Sequence, residues 1–296
     1  MGRARLALVT LAILALISLG FLTAFLVGRE ARVRVATTTS LYATGLLEFL
    51  ADEFSEKQPG VSLDFMPVGS GEALRKAELG DACLVFVHAP SLEKKYVSKG
   101  VISGRRIFAY NYFIIAGPAS DPAGIRDSES PIEAFIKIYE AGERGEAVFA
   151  SRGDGSGTHV RELSLWDKAG LDPRGRPWYM ETGSGMGHTL LVANEKKAYV
   201  LSDLGTYLKF KKEGKISNLE LLYQGGSELI NVYSVYLVSS CTGRERDLAV
   251  SFMDFVSKDA QSLIAEYGID KFGQPLFKPA EGSLERLEEF WEMLAS

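Results

Sequence analysis

The sequence predicts an α/β fold of two lobes, each a mainly parallel sheet flanked by helices, and three observations carry that expectation. Short β-rich apolar runs alternate with amphipathic helical patterns, and such strand–helix–strand alternation builds parallel sheets with helices on both faces. Two apolar runs, 106–117 (RIFAYNYFIIAG) and 229–239 (LINVYSVYLVS), are each long for an ordinary strand. Between them lies a self-contained α/β block, the pattern that two crossovers between lobes leave in a sequence; periodicity alone also permits one continuous sheet. At 296 residues and 46% hydrophobic content, the chain can bury a core for one large or two medium domains. The expected division is 1–30 as a separate N-terminal element, 31–109 with 234–296 as lobe 1, and 110–233 as lobe 2.

Taken in order, 32–37 (RVRVAT) reads as a strand. Leu46, Leu47, Leu50 and Phe54 share one face of a helix that ends near Pro59-Gly60. Residues 61–67 (VSLDFMP) alternate like a strand, 73–79 look helical, and 82–87 (ACLVFV) read as a buried strand. In the block between the long runs, a helix is expected around 132–140, a strand at 147–151 and a helix after Gly157. A strand near 178–181, a helix from Met186 and a short strand at 198–201 follow. Residues 244–267 and 284–293 are amphipathic and helical, and should return to the first lobe as packing.

Residues 1–30 are set apart by composition. Arg3 and Arg5 precede a charge-free run from Leu6 to Val27. At ~1.5 Å per residue that run reaches ~33 Å, enough to cross a bilayer core. A cleavable signal has a shorter apolar stretch and a small-residue cleavage site, and no nearby cysteine offers a lipid anchor. The expectation is a membrane anchor through residues 6–27 with the bulk outside; export with a cleaved signal is the alternative. Either way the globular part leaves the cytoplasm, for the cell surface or periplasm.

The net charge of −5 argues against a nucleic-acid partner, which wants a basic face. It leaves open a small anion, because such sites work through local dipoles and one or two cations. Cys83 and Cys241 both sit in apolar strand-like runs, and two buried thiols or one disulfide are equal readings. His88, His159 and His188 lie far apart without metal-ligand spacing, so neither a metal site nor a cofactor is expected.

Four loops place Gly, Ser or Thr where a strand ends and a helix begins: 37–40 (TTTS), 68–71 (VGSG), 151–158 (SRGDGSGT) and 183–187 (GSGMG). A helix N-terminus offers unpaired N–H donors and about half a positive charge. Small residues let an anion approach that backbone, and hydroxyls add donors. In an open α/β sheet, ligands sit beyond the carboxyl ends of the strands. One such loop alone is an ordinary cap or turn. Recurrence shifts the balance, together with Arg152, whose planar fork suits two oxyanion oxygens; a surface pair with Asp154 is its ordinary reading. No Gly-x4-Gly-Lys-Ser/Thr run is present, and the glycine spacings at 153–157 and 183–187 miss the dinucleotide fingerprint. A Gly-x-Ser-x-Gly elbow is also lacking, and His159 near Ser156 has no evident third partner. An enzyme is therefore not expected, and a hydrolase is the distant alternative.

Together these stretches resemble the tungstate-binding proteins of tungstate ABC importers. The resemblance runs through ATTTS (36–40), VGSGEAL (68–74), GDACLVFVHAP (80–90), NYFIIAGPASDPAGI (111–125), SRGDGSGTHVRELSLW (151–166) and WYMETGSGMGHTL (178–190). It covers roughly 33–240 and is most specific in the SRGD-x-SGTH run. It implies a type II periplasmic-binding-protein fold, two α/β lobes joined by two crossover strands, with the anion in the cleft. Carried over by position, the implied ligands are Thr39, Ser40, Ser70, Gly71, Arg152, Ser156, Gly157 and Thr158, with Thr38 and Gly187 as further lining residues. The implied partners are the oxyanion, tungstate or molybdate, and a permease driven by its ATPase; a monomer is expected.

A phosphate-binding protein of a phosphate importer also resembles this chain, through 152–158, and is the alternative. Phosphate near neutral pH keeps a proton and rewards a carboxylate that accepts it. Tungstate, molybdate and sulfate keep none, and a carboxylate facing them costs free energy. Phosphate binders carry that Asp where this chain reads Val87-His88-Ala89-Pro90, which favours a fully deprotonated oxyanion. Asp154 either accepts such a proton or orients Arg152, and His88 is expected to bridge loop to loop.

Overall fold

The computed structural model describes residues 31–295, so the expected anchor at 1–30 lies outside the described residues. Strand β1 (Ala31–Thr38) runs parallel to β2 (Val61–Val68) on one side and β3 (Leu84–Val87) on the other. Helices α1 (Thr39–Ala43), α2 (Leu46–Lys57) and α3 (Ser70–Leu79) join this trio. Leu46, Leu47, Leu50 and Phe54 turn one face of α2 into the core as their spacing predicts, none more than 2% exposed. After α4 (Pro90–Ser98), strand β4 runs seventeen residues from Ile102 to Pro118.

The block that follows holds α5 (Pro131–Glu143), β5 (Phe149–Ser151), α6 (Gly157–Lys168), β6 (Tyr179–Glu181), α7 (Met186–Lys196), β7 (Val200–Asp203), α8 (Leu204–Lys212) and β8 (Leu219–Tyr223). Here β5 pairs parallel with β6 and bridges in parallel to Tyr199, just before β7, making a second trio. The chain returns through β9 (Ile230–Val238) to α9 (Gly243–Asp254), α10 (Gln261–Glu266), α11 (Ile269–Phe272), β10 (Lys278–Pro279) and α12 (Leu284–Ala295).

β4 is long because it runs from beside β9, which pairs with β3 of the first trio, to β7 and β8 next to the second. Its first part pairs with β9 as far as Asn111↔Asn231 and Tyr112↔Ile230; from Phe113↔Asp203 onward it pairs with β7, and then with β8. At ~3.3 Å per residue it reaches ~56 Å. The apolar interior divides in the same way. Phe54, Phe86, Phe108 and Phe252 pack around the first trio, and Phe135, Phe149, Trp166 and Trp178 around the second. The C-terminal helices return to the first trio as expected, Phe252 meeting Phe54 at 5.1 Å between ring centroids.

One expectation is corrected. The sheets are mixed rather than mainly parallel, since β4 pairs antiparallel with β7, β8, β9 and β10, and β9 antiparallel with β3. A chain that leaves by one crossover and returns by the other must traverse the junction in opposite directions. Strand β8 and helices α4 and α8 were not foreseen, being short and weakly periodic. Among the described residues no helix is long and apolar enough to cross a membrane.

Cys83, just before β3, is disulfide-bonded to Cys241, just after β9, with their Cα atoms 5.1 Å apart, which decides between the two readings of the cysteines. The bridge closes a long loop and restrains the unfolded chain, an effect worth about 2–4 kcal/mol. Reduction, or a C83S/C241S variant, is expected to lower the unfolding free energy by about that amount in denaturant titration.

Candidate functional site

The four strand-end loops carry hydroxyls whose local roles leave protons to spare. Thr38 caps α1, its Oγ1 accepting from the Leu41 N–H at 3.3 Å. Ser156 caps α6, its Oγ accepting from the His159 N–H at 3.4 Å. A cap uses an oxygen lone pair, so the hydroxyl proton remains free to donate. Ser70 opens α3 and Thr158 lies in the first turn of α6, both fully buried. Neither Ser70 Oγ, Thr158 Oγ1 nor Arg152 Nε has a hydrogen-bond partner among the described residues. Each such buried orphan costs about 1–3 kcal/mol, and a group of them calls for an acceptor. Helices α6 and α7 begin at these loops without an acidic residue in the first turn, so their positive ends stay uncompensated.

Tertiary structure brings the loops face to face. A Cβ built on Gly157 would lie 3.0 Å from the His88 carbonyl oxygen and 3.0 Å from Ser70 Oγ, so only glycine lets α6 start there without displacing its neighbours. Similar placements put Gly71 against the Gly155 carbonyl at 3.6 Å and Gly185 against Thr39 Oγ1 at 3.8 Å. Ser40 Oγ lies 3.5 Å from Thr38 Oγ1 and 3.4 Å from His88 Nε2. Thr38, Thr39, Ser40, Ser70, Gly71, Arg152, Ser156, Gly157 and Thr158 thus all sit on loops that converge. At Gly187 a Cβ would strike the Phe210 ring at 2.6 Å, so its bareness serves the packing of α7 on α8.

Arg152 is 2% exposed and donates from Nη2 to Asp154 Oδ2 at 2.5 Å. The other oxygen, Asp154 Oδ1, accepts from the Ser156 N–H at 3.1 Å. Both carboxylate oxygens are therefore engaged within the loop, and Asp154 orients Arg152. His159 Nδ1 accepts from the Gly155 N–H at 2.9 Å, while its backbone N–H serves the Ser156 cap.

His88 is buried and bridges, as expected. Asn231 Nδ2 donates to Asn111 Oδ1 at 3.0 Å and to the Tyr233 hydroxyl at 2.8 Å, which turns Asn231 Oδ1 toward His88 Nδ1 at 2.8 Å. This network assigns the proton to Nδ1 and leaves Nε2 to accept from the Ser40 hydroxyl. The ring stacks on Tyr233, 5.0 Å between centroids. Burial, opposed by the Asn231 bond and reinforced by the charges of Arg152 and Arg161, pushes its pKa down to about 4. Asn111 and Asn231 escaped the sequence reading, while Thr37, in the first of the four loops, also has a buried Oγ1 without a partner among the described residues. The signal available for the two asparagines was a lone amide inside each long apolar run.

The fold defines the class. A family model described as a PBP superfamily domain matches residues 28–259. The chain belongs to that superfamily, and within it to the relatives of the tungstate-binding proteins. It is 38% identical over 248 residues to the tungstate-binding protein TupA of Peptoclostridium acidaminophilum, covering 83% of this chain and 84% of that one. A solved structure of the tungstate ABC transporter from Geobacter sulfurreducens is 41% identical, with TM-score 0.71 over 80% of this chain and 99% of that one. The structure of TupA from Desulfovibrio alaskensis G20 gives 38% identity and TM-score 0.71 over 84% and 98%.

The His88 environment predicts a pH effect. Its folded pKa of about 4 lies below the ordinary 6.5. As pH falls through that window the unfolded chain takes up a proton that the folded chain refuses. The stability tied to neutral His88 is thus present above pH ~6.5 and lost on acidification, to a limit of about 3 kcal/mol. Glu162, pushed up by burial to about 7, acts in the opposite sense, so the informative quantity is a difference. Relative to H88Q, the parent is expected to lose unfolding free energy between pH 6.5 and 4; parallel curves would contradict the buried neutral ring.

Proposed function

We propose that this chain is the extracytoplasmic binding protein of an ABC importer and that it captures tungstate, a fully deprotonated tetrahedral dianion. The observation that carries this reading is the set of buried donors without partners, Ser70 Oγ, Thr158 Oγ1 and Arg152 Nε, on loops that meet at Gly157. Thr38, Thr39, Ser40, Gly71 and Ser156 complete the ligand shell, with backbone N–H groups at the starts of α3 and α6. Asp154 already accepts from Arg152 and from the Ser156 N–H. The proton of a hydrogen phosphate would have to share Asp154 with those two donors, which disfavours the phosphate reading. The names of the relatives support the same ligand. Molybdate shares its charge and shape, and selectivity between the two rests on loop geometry.

In this reading the protein binds and releases its cargo unchanged and is not an enzyme. Lobe 1 (31–109 and 234–296) and lobe 2 (110–233) close by hinging near 109–113 and 230–234. The closed monomer delivers the anion to a permease with its ATPase. Residues 6–27 hold it at the membrane, raising its effective concentration near that permease.

Titration calorimetry with tungstate, molybdate, sulfate and phosphate tests the proposal. Tight binding of tungstate with weak or no phosphate binding is expected, and tight phosphate binding would overturn it. A charge-assisted hydrogen bond contributes about 1.5–3 kcal/mol, so R152A is expected to weaken tungstate binding roughly 10- to 150-fold.

A further inference from the structure

A dianion in this cleft gains from any further positive charge held nearby. Arg152 is paired with Asp154 at 2.5 Å. A second buried carboxyl, Asp203, also feels Arg152; burial pushes its pKa up and the Thr206 N–H and hydroxyl hold it at 2.8 and 2.7 Å. Among the described residues just one other Lys or Arg is counted as buried: Arg161, 8% exposed.

Arg161 stands four residues after Gly157 on α6, and so lies one turn along the same helix face. Gly157 is the residue that meets His88 and Ser70. Nη1 of Arg161 donates to the Glu228 carbonyl at 2.8 Å, and its guanidinium lies 5.9 Å from the Phe113 ring centroid. No ion pair is found for it among the described residues, in contrast to Arg152. With His88, Gly157 and Pro90 it lines a cavity of about 430 Å³ behind the site. Burial, opposed by the charge of Glu228, pulls the guanidinium pKa down to about 10, still charged at neutral pH. Its field reaches His88, where it opposes ring protonation together with Arg152. Desolvating a cation costs free energy, and a bound anion a short way off offsets part of that cost.

We propose that Arg161 is the second charge of the oxyanion site, acting through space from behind the Gly157–His88 crossing rather than as a ligand. It is a positioning and charge-balancing residue, and the inference rests on the dianion reading above. Two substitutions separate charge from packing. R161K keeps the charge; R161Q removes it while keeping an N–H donor for the Glu228 carbonyl.

The test is calorimetric titration of the full-length parent, R161Q and R161K with sodium tungstate, with a melting curve for each and the His88 ring titration followed by NMR. R161Q is expected to bind about tenfold or more weakly, R161K to keep most of the affinity, and the His88 titration to move upward in R161Q alone. Unchanged tungstate binding in R161Q, or equal losses in both variants with matching drops in melting temperature, overturns the proposal. Should R161Q fail to fold, R161K still decides, because a folded lysine variant that loses tenfold contradicts a role through charge. A parent that does not bind tungstate overturns the dianion reading itself, and this inference with it.

Discussion

The approach of the Gly157 backbone to His88 and Ser70, with 3.0 Å of room for a Cβ, is the constraint on which the rest of the site depends. It sets the start of α6 directly against loops carried by β2 and β3. Loops of the first trio that carry Ser70 and His88 then lie against the loop of the second that carries Arg152. Any side chain at that point would part the loops by a few tenths of an ångström, and hydrogen bonds to a small tetrahedral ion weaken steeply over that range.

Behind the crossing, polar groups tie the site to the two connecting strands. Asn111 on β4 and Asn231 on β9 are register partners and bond to each other through their amides. From there the chain of contacts runs to His88 and on to Ser40. An amide pair buried in otherwise apolar strands is tolerated because each member has a partner. It also fixes the His88 tautomer, so that the ring accepts from Ser40. Glu93 braces the other side of this loop, accepting from the Ala89 N–H, the Tyr236 hydroxyl and the Trp291 indole. Helix α12 is thereby anchored to the strand end that carries His88.

Electrostatically the cleft is a balance of desolvation against a few well-placed charges. Arg152 is buried yet held by Asp154, which spends part of its charge on orientation. Helices α6 and α7 begin at the strand-end loops with no acidic residue in the first turn, and Arg161 is a second buried cation whose desolvation the charge of Glu228 opposes. The acidic balance of the whole chain is no obstacle, because the field inside a low-dielectric cleft is set by its nearest groups.

Much was legible from residues alone. The alternation of strands and helices, the apolar face of α2, the two long runs that became β4 and β9, and the four Gly/Ser/Thr loops follow from local periodicity and turn chemistry. These depend on spacing, which a sequence records directly. Tertiary structure decided the remainder. Whether Cys83 met Cys241, that β4 and β9 oppose their neighbours and that Gly187 packs against Phe210 are matters of which distant segments touch. Asn111, Asn231 and Arg161 belong there too, for a lone polar residue in a strand or helix acquires its role only from what the fold sets opposite it.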